Sequence, residues 1–127
     1  MAKRSLSLYP GTFAVCRLAP DSDIPAWATQ SPFFSVTKTI DEVSIICPQS
    51  EVPAGVKSEP GWAALKVDGT LDFSLTGILA GLLTPLAEPN ISVFAISTFD
   101  TDFILIPSQK LRAAIQTLES AGHKVQA

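Results

Sequence analysis

Two periods of apolar residues alternate in the second half of the chain, and the changes of period mark its elements. The segment 62–67 predicts a strand that ends at the turn dipeptide 68–69. Leucine and isoleucine then recur at helical spacing, which predicts a helix over 76–87 with Ser74 or Thr76 as its N-cap. The apolar face of this helix consists of Ile78, Leu79, Leu82, Leu83 and Leu86.

The remaining elements of this half follow in a recognisable order. Strands are predicted over 91–97, 102–107 and 123–125, and a second helix over 110–120. Ser108 is the expected cap of that helix and Gly122 its stop, and His123 is expected to be solvated beyond it. Pro85 predicts a kink in the last turn of the first helix. The order β-α-β-β-α-β is the split βαβ arrangement of ferredoxin-like folds.

A thinner version of the same order runs through the first half. Strands are predicted over 12–18, 33–38 and 43–47, with a short helix starting at 23–25. The segment 39–42 (TIDE) repeats as 98–101 (TFDT), and an aliphatic run ending in proline follows each of them. This self-similarity predicts two copies of one unit, an abbreviated one over 1–60 and a complete one over 61–127.

Composition and charge exclude several classes of partner. The chain has 127 residues, of which 46% are hydrophobic and 17% charged, and its net charge is −3. Nine cations spread thinly do not form a phosphate-binding surface, so no nucleic-acid partner is expected. No apolar run approaches the roughly 20 residues that cross a bilayer, so no membrane partner is expected. The small charged fraction favours apolar surface buried against a second copy.

The chemistry-bearing residues argue against catalysis. Cys16 and Cys47 lie in apolar β-type runs, as expected for buried thiols in a reducing compartment, so the cytoplasm is the expected location. Asp100 and Asp102 form a carboxylate pair, but no nucleophile or base lies beside them. One histidine and two separated cysteines do not make a metal site. The chain is therefore expected to be neither an enzyme nor a holder of a cofactor or metal.

Two longer segments resemble a known family. Residues 71–80 (LDFSLTGILA) and 94–107 (FAISTFDTDFILIP) resemble the ACT-domain branch of the CASTOR arginine sensors and of aspartate kinase regulatory regions. Residues 10–18 and 24–27 resemble small stand-alone bacterial proteins of this branch. The resemblance implies an α+β fold of tandem ferredoxin-like ACT units, with antiparallel sheets and helices on one face. It also implies a non-catalytic, usually dimeric protein that binds a small molecule at unit interfaces.

In an ACT-like unit the loop that leads into the first helix is where the polar head of an amino acid can sit. Free N–H groups at a helix N-terminus favour a carboxylate, and Gly77 allows close approach to the backbone. An ammonium group needs an acceptor such as Asp72 or Asp100. The expected ligand-binding residues are Asp72, Ser74, Thr76, Gly77, Ile78, Ser97, Thr98 and Asp100. The alternative is that their hydroxyl and carboxyl groups only cap the helix and close the 98–101 turn.

The function expected from the sequence is a regulatory or sensor protein that binds an amino acid at an ACT unit or subunit interface, acts without catalysis and forms a homodimer. The alternative is a structural or partner-binding ACT-like scaffold without a ligand. The two differ in whether any amino acid stabilises the protein.

Overall fold

The computed structural model describes residues 3–71 and 77–127. Its strands are β1 (Ser5–Leu18), β2 (Ser35–Lys38), β3 (Val43–Pro48), β4 (Lys57–Val67), β5 (Phe94–Ser97), β6 (Asp102–Pro107) and β7 (Lys124–Gln126). Its helices are α1 (Ile78–Ala87) and α2 (Leu111–Ser120), and single 3-10 turns lie at Ala26–Ala28, Gln49–Glu51 and Ser108–Lys110. None of the helices in these ranges has the length and apolar character that a bilayer span requires.

The chain packs as two compact units. The smaller unit is Gly11–Trp62, and the larger unit combines Met1–Pro10 with Ala63–Ala127. The packing thus groups the first ten residues with the C-terminal part of the chain. The domain division at residue 60, expected from the repeat, stays a prediction.

All seven strands belong to one sheet, and those of the smaller unit lie in it in the order β2-β3-β1-β4, which is 2-3-1-4 in chain order. β1 and β3 pair antiparallel from Phe13↔Pro48 to Leu18↔Val43. Six residues form its core: Ala14, Cys16, Ala28, Val43, Ile45 and Cys47. The short helix predicted to start at 23–25 is a single 3-10 turn at Ala26–Ala28.

The larger unit repeats that strand order with one insertion. Its own strands β4, β5, β6 and β7 again lie in the order 2-3-1-4, but β1 lies between β4 and β7. β7 pairs parallel with β1, from Ser5↔Lys124 to Ser7↔Gln126. Leu6 is fully buried in a core shared with Leu65, Val67, Leu82, Leu86, Ile91, Ile104, Ile106, Ala114 and Leu118. The start of the chain therefore completes the C-terminal core.

The predicted apolar face of α1 is confirmed. Leu82 and Leu86 are fully buried, and Leu79 and Leu83 pack at the edge of the same core. The expected kink does not end the helix, because α1 continues through Pro85 to Ala87.

The predicted caps of both helices are wrong. Gly77, in the left-handed conformation with φ 76°, is the N-cap of α1. Ser108 opens a 3-10 turn, so that Lys110 is the N-cap of α2 instead. The Lys110 side chain forms no capping hydrogen bond, and Gly77 has no side chain that could form one.

β1 and β4 are longer than the sequence predicts because each continues through a Pro-Gly dipeptide. Pro10-Gly11 and Pro60-Gly61 are strand breakers by composition, yet both lie inside strands. The glycines have φ 106° and 86°, a conformation that lets the backbone bend locally while the strand goes on.

The prediction of a solvated His123 is also wrong. Its side chain is only 6% exposed. The main-chain N–H of Arg4 donates to its Nδ1 at 3.0 Å, and its Nε2 lies 3.0 Å from the carbonyl oxygen of Gly81. The reason is that β7 lies beside β1, where the Lys124 N–H donates to the Arg4 carbonyl at 2.9 Å and brings the preceding imidazole inside.

Candidate functional site

The turn between β5 and β6 holds three of the predicted site residues. The N–H and Oγ1 of Thr98 both donate to the Thr101 carbonyl oxygen, at 2.8 and 3.0 Å, and the Thr101 N–H donates back to Thr98 Oγ1 at 3.2 Å. Ser97 and Asp100 are exposed on either side. The Thr98 hydroxyl therefore closes the turn, and its role as a ligand contact stays a prediction.

One hydrogen bond ties this turn to the segment that follows β4, and another ties it to the last residue of β4. The Leu71 N–H donates to the Asp100 carbonyl oxygen at 2.6 Å. The hydroxyl of Thr101, which is 5% exposed, donates to the Val67 carbonyl oxygen at 2.7 Å. The segment that leads from Leu71 into α1 is the candidate loop, and residues 98–101 are the candidate turn. The structure thus joins the entry of this loop to this turn. Sequence reasoning missed Thr101, since a threonine in a turn carries no signal of its burial.

The exit of the candidate loop is an open helix start. Gly77 is exposed, and a Cβ added to it would meet no atom of the described residues within 4 Å. Its carbonyl accepts the Gly81 N–H at 2.9 Å, which closes the first turn of α1. The N–H groups of residues 78–80 have no acceptor within the helix, as at every helix start. Ile78 is half-buried, and the other candidates Asp72, Ser74 and Thr76 lie outside the described residues.

The smaller unit contains the counterpart of this turn. The Thr39 N–H donates to the Glu42 carbonyl at 2.9 Å, and Thr39 Oγ1 accepts the Glu42 N–H at 3.2 Å. The repeat of 39–42 in 98–101 is therefore a repeat of turn geometry. Both tips expose a large apolar side chain, Ile40 at 93% and Phe99 at 78%. Beside the first tip lies an open depression lined by Pro20, Asp21, Lys38, Thr39 and Ile40.

The two cysteines are buried, as expected, and poorly suited to nucleophilic chemistry. Burial raises the pKa of both thiols, and the pKa of Cys47 rises to about 11, with smaller contributions from the charges of Cys16 and Glu51. Thiols in this state stay protonated near neutral pH. Within residues 3–71 and 77–127 no group of three or more His, Cys, Asp or Glu side chains is placed to hold a metal ion.

Two protein-family models match most of the chain. A family model described as ACT domain matches residues 57–120, and a model of an N-terminal domain found in related proteins matches residues 11–55. The first ten residues lie outside both matches.

Curated proteins that match the chain include cytosolic arginine sensors. The chain is 36% identical to the human protein CASTOR3P over 105 residues, which are 72% of this chain and 64% of that protein. It is 32% identical over 97 residues to the human cytosolic arginine sensor for mTORC1 subunit 1, covering 68% of this chain. The chain spans only 64% and 30% of the length of these two relatives.

Solved structures show the same fold. A crystal structure of an Agrobacterium tumefaciens protein superposes with a TM-score of 0.93 at 36% identity and covers 98% of this chain and 93% of that one. The regulatory subunit of aspartate kinase from Thermus thermophilus superposes with a TM-score of 0.66 at 12% identity, covering 95% and 99% of the two chains. The resemblance inferred from the sequence is thereby confirmed, as is the α+β fold. The chain belongs to the ACT domain family.

Proposed function

We propose that this protein is a non-catalytic regulatory protein that binds an amino acid where the candidate loop meets the β5–β6 turn. The observation that carries the proposal is the Leu71–Asp100 hydrogen bond, which joins the loop entry to the turn. Membership of the ACT domain family supports it, as does a 32% identical relative that is named an arginine sensor.

The chemistry of the described residues suits a zwitterion. The free N–H groups at the start of α1 carry the positive end of the helix dipole and favour the carboxylate. The exposed Asp100 carboxylate can accept from the ammonium group. Because no described side chain lies within 4 Å of a Cβ placed on Gly77, we propose that the ligand carboxylate reaches the main chain there. Asp72, Ser74, Thr76, Ile78, Ser97 and Thr98 are the further contacts we propose.

A thermal-shift screen of the purified protein against the twenty standard amino acids tests this function. An amino acid present at about 100 times its dissociation constant adds roughly 2.7 kcal/mol of stability, a shift of several degrees for a chain of this size. One clear stabiliser is the expected result. A flat screen at millimolar concentration contradicts the proposal.

Substitution of Gly77 tests the place of binding. Gly77→Leu puts a large side chain over the helix start, and we expect at least a tenfold loss of affinity. The open space around this position lets the chain fold, although a left-handed leucine costs about 1–2 kcal/mol. Gly55→Leu is the matched control, because Gly55 also has positive φ (90°) and nothing within 4 Å, but lies in the smaller unit. If Gly77→Leu binds with wild-type affinity, the site does not lie at the start of α1.

The exposed tips favour a second candidate, a partner-binding scaffold without a ligand. Phe99 and Ile40 present large apolar side chains at equivalent turns, the kind of surface that protein partners cover.

In either case we propose a homodimer in the cytoplasm. Sedimentation of the wild type and of Phe99→Ser tests the role of the larger unit's tip: a dimer weakened by Phe99→Ser supports it, and an unchanged mass excludes it.

A further inference from the structure

Pro85 leaves a gap in the hydrogen bonding of α1. In an α-helix the N–H of residue 85 would donate to the carbonyl of residue 81, but proline has no N–H. The carbonyl oxygen of Gly81 therefore lacks its intrahelical donor. Gly81 is buried, so water is not available as a replacement. A donor from outside the helix is needed.

His123 supplies that donor. Its Nε2 lies 3.0 Å from the Gly81 carbonyl oxygen, and the bond is buried. The tautomer follows from the other ring nitrogen: a main-chain N–H can only donate, so Nδ1, which receives the Arg4 N–H at 3.0 Å, carries no proton. Nε2 is therefore the ring nitrogen that donates, and its N–H is directed at the carbonyl oxygen of Gly81.

Gly81 connects this bond to the candidate site. Its carbonyl accepts from His123, and its N–H donates to the carbonyl of Gly77 at 2.9 Å. The peptide groups on both sides of Gly81 are thus fixed, and with them the first turn of α1. That turn begins at the left-handed Gly77 and contains the N–H groups that have no acceptor within the helix.

We propose that His123 is a positioning residue of the amino-acid site, which replaces the hydrogen bond that Pro85 cannot make and so sets the first turn of α1. This inference rests on the proposed function. It assigns His123 no contact with the ligand.

A double-mutant cycle tests the replacement. Wild type, His123→Leu, Pro85→Ala and the double variant are compared by chemical denaturation. When Pro85 is present, His123→Leu leaves the Gly81 carbonyl unpaired, and we expect the folding equilibrium constant to fall about tenfold or more. Pro85→Ala restores a helical N–H, so the same loss should be clearly smaller there. The bond to Arg4 is lost in both backgrounds and cancels from the cycle. Equal losses in the two backgrounds overturn the proposal.

Two further measurements separate positioning from plain stability. Hydrogen exchange of the Gly81 amide should speed up in His123→Leu more than exchange of the amides in α2. Affinity for L-arginine and the other standard amino acids, measured where every variant is folded, should fall about tenfold in His123→Leu and recover partly in His123→Gln, which keeps an N–H donor. Lost stability with unchanged affinity and unchanged Gly81 exchange overturns the positioning role.

The failure of the proposed function is distinguishable from the failure of this inference. If the wild type binds none of the twenty amino acids, the site and its positioning residue are both excluded. The double-mutant cycle then still decides whether His123 and Pro85 are coupled through Gly81.

Discussion

At the scale of single residues, burial decides what a side chain can do in this protein. The same residue type behaves differently at different depths: the buried Thr101 hydroxyl bonds the Val67 carbonyl across the sheet, whereas the exposed Thr117 hydroxyl only bonds the Ala113 carbonyl of its own helix. Burial likewise raises the pKa of the two thiols, whereas the tautomer of the buried His123 is set by the Arg4 N–H that donates to its Nδ1.

The Cys47 thiol makes the free energy of unfolding fall as the pH becomes alkaline. Its folded pKa of about 11 lies above the ordinary value of 9.0, so the folded state holds a proton that the unfolded chain releases. The stabilising contribution is complete below pH 9 and is lost as the pH rises towards 11. Urea unfolding at half-unit steps from pH 8 to 11 should show a falling free energy of unfolding.

Cys47→Ala is the control, since lysine and tyrosine side chains also titrate in this range. The variant should lose stability less steeply between pH 9 and 11 than the wild type does. Parallel curves for the two proteins would contradict the assignment to this thiol.

At the scale of elements, one hairpin turn is used twice. Thr39 and Thr98 each donate a main-chain N–H to the residue three positions on and accept that residue's N–H with the hydroxyl, and Thr39 Oγ1 also accepts the Asp41 N–H. An element that forms the same bonds in both copies has a structural role in each. In the larger unit the turn is additionally bonded to Leu71, which places it beside the loop into α1.

Thr39→Ala and Thr98→Ala should therefore cost similar stability, about 1 kcal/mol each, because each removes a hydroxyl that both donates and accepts within its turn. Chemical denaturation measures both. Only Thr98→Ala should weaken amino-acid binding, which makes Thr39→Ala its matched control. A Thr98→Ala protein as stable as the wild type would show that the turn closes without the hydroxyl.

At the scale of the whole molecule, the chain's first strand completes the core of its last part. Leu6 is fully buried among residues from β4, β6, α1 and α2, and β7 pairs with β1. The C-terminal residues thus do not form this core alone, although the strand pattern of the larger unit is otherwise complete.

Leu6→Ala should therefore destabilise the larger unit by about 2–5 kcal/mol, the usual cost of a cavity at a buried leucine. Leu8→Ala is the control, because Leu8 is only partly buried at the edge of the same core. Denaturation followed by amide signals of α2 and β6 reports the larger unit specifically. Equal effects of the two substitutions would place Leu6 outside the core.

Local pattern was sufficient for much of the fold. The apolar face of α1, the repeated turn and the two buried thiols were all predicted from spacing and residue type. These features depend on interactions within a few residues, or on the single question of which face is apolar, and periodicity answers that question. The family followed from the resemblance of two longer segments to known ACT-domain proteins, and the family model confirms it.

Only the tertiary structure decided the pairing of β7 with β1, the burial of His123 and the bond from Leu71 to Asp100. Each depends on main-chain N–H or carbonyl groups of segments far apart in the chain, and because nearly all residues carry these groups they leave no mark in the sequence. The proposed site shares this property: residue types indicated the loop and the turn separately, and the observed link is a backbone hydrogen bond from Leu71, which precedes the loop, to Asp100 of the turn. Periodicity shows which face of an element is buried, and only packing shows what covers it.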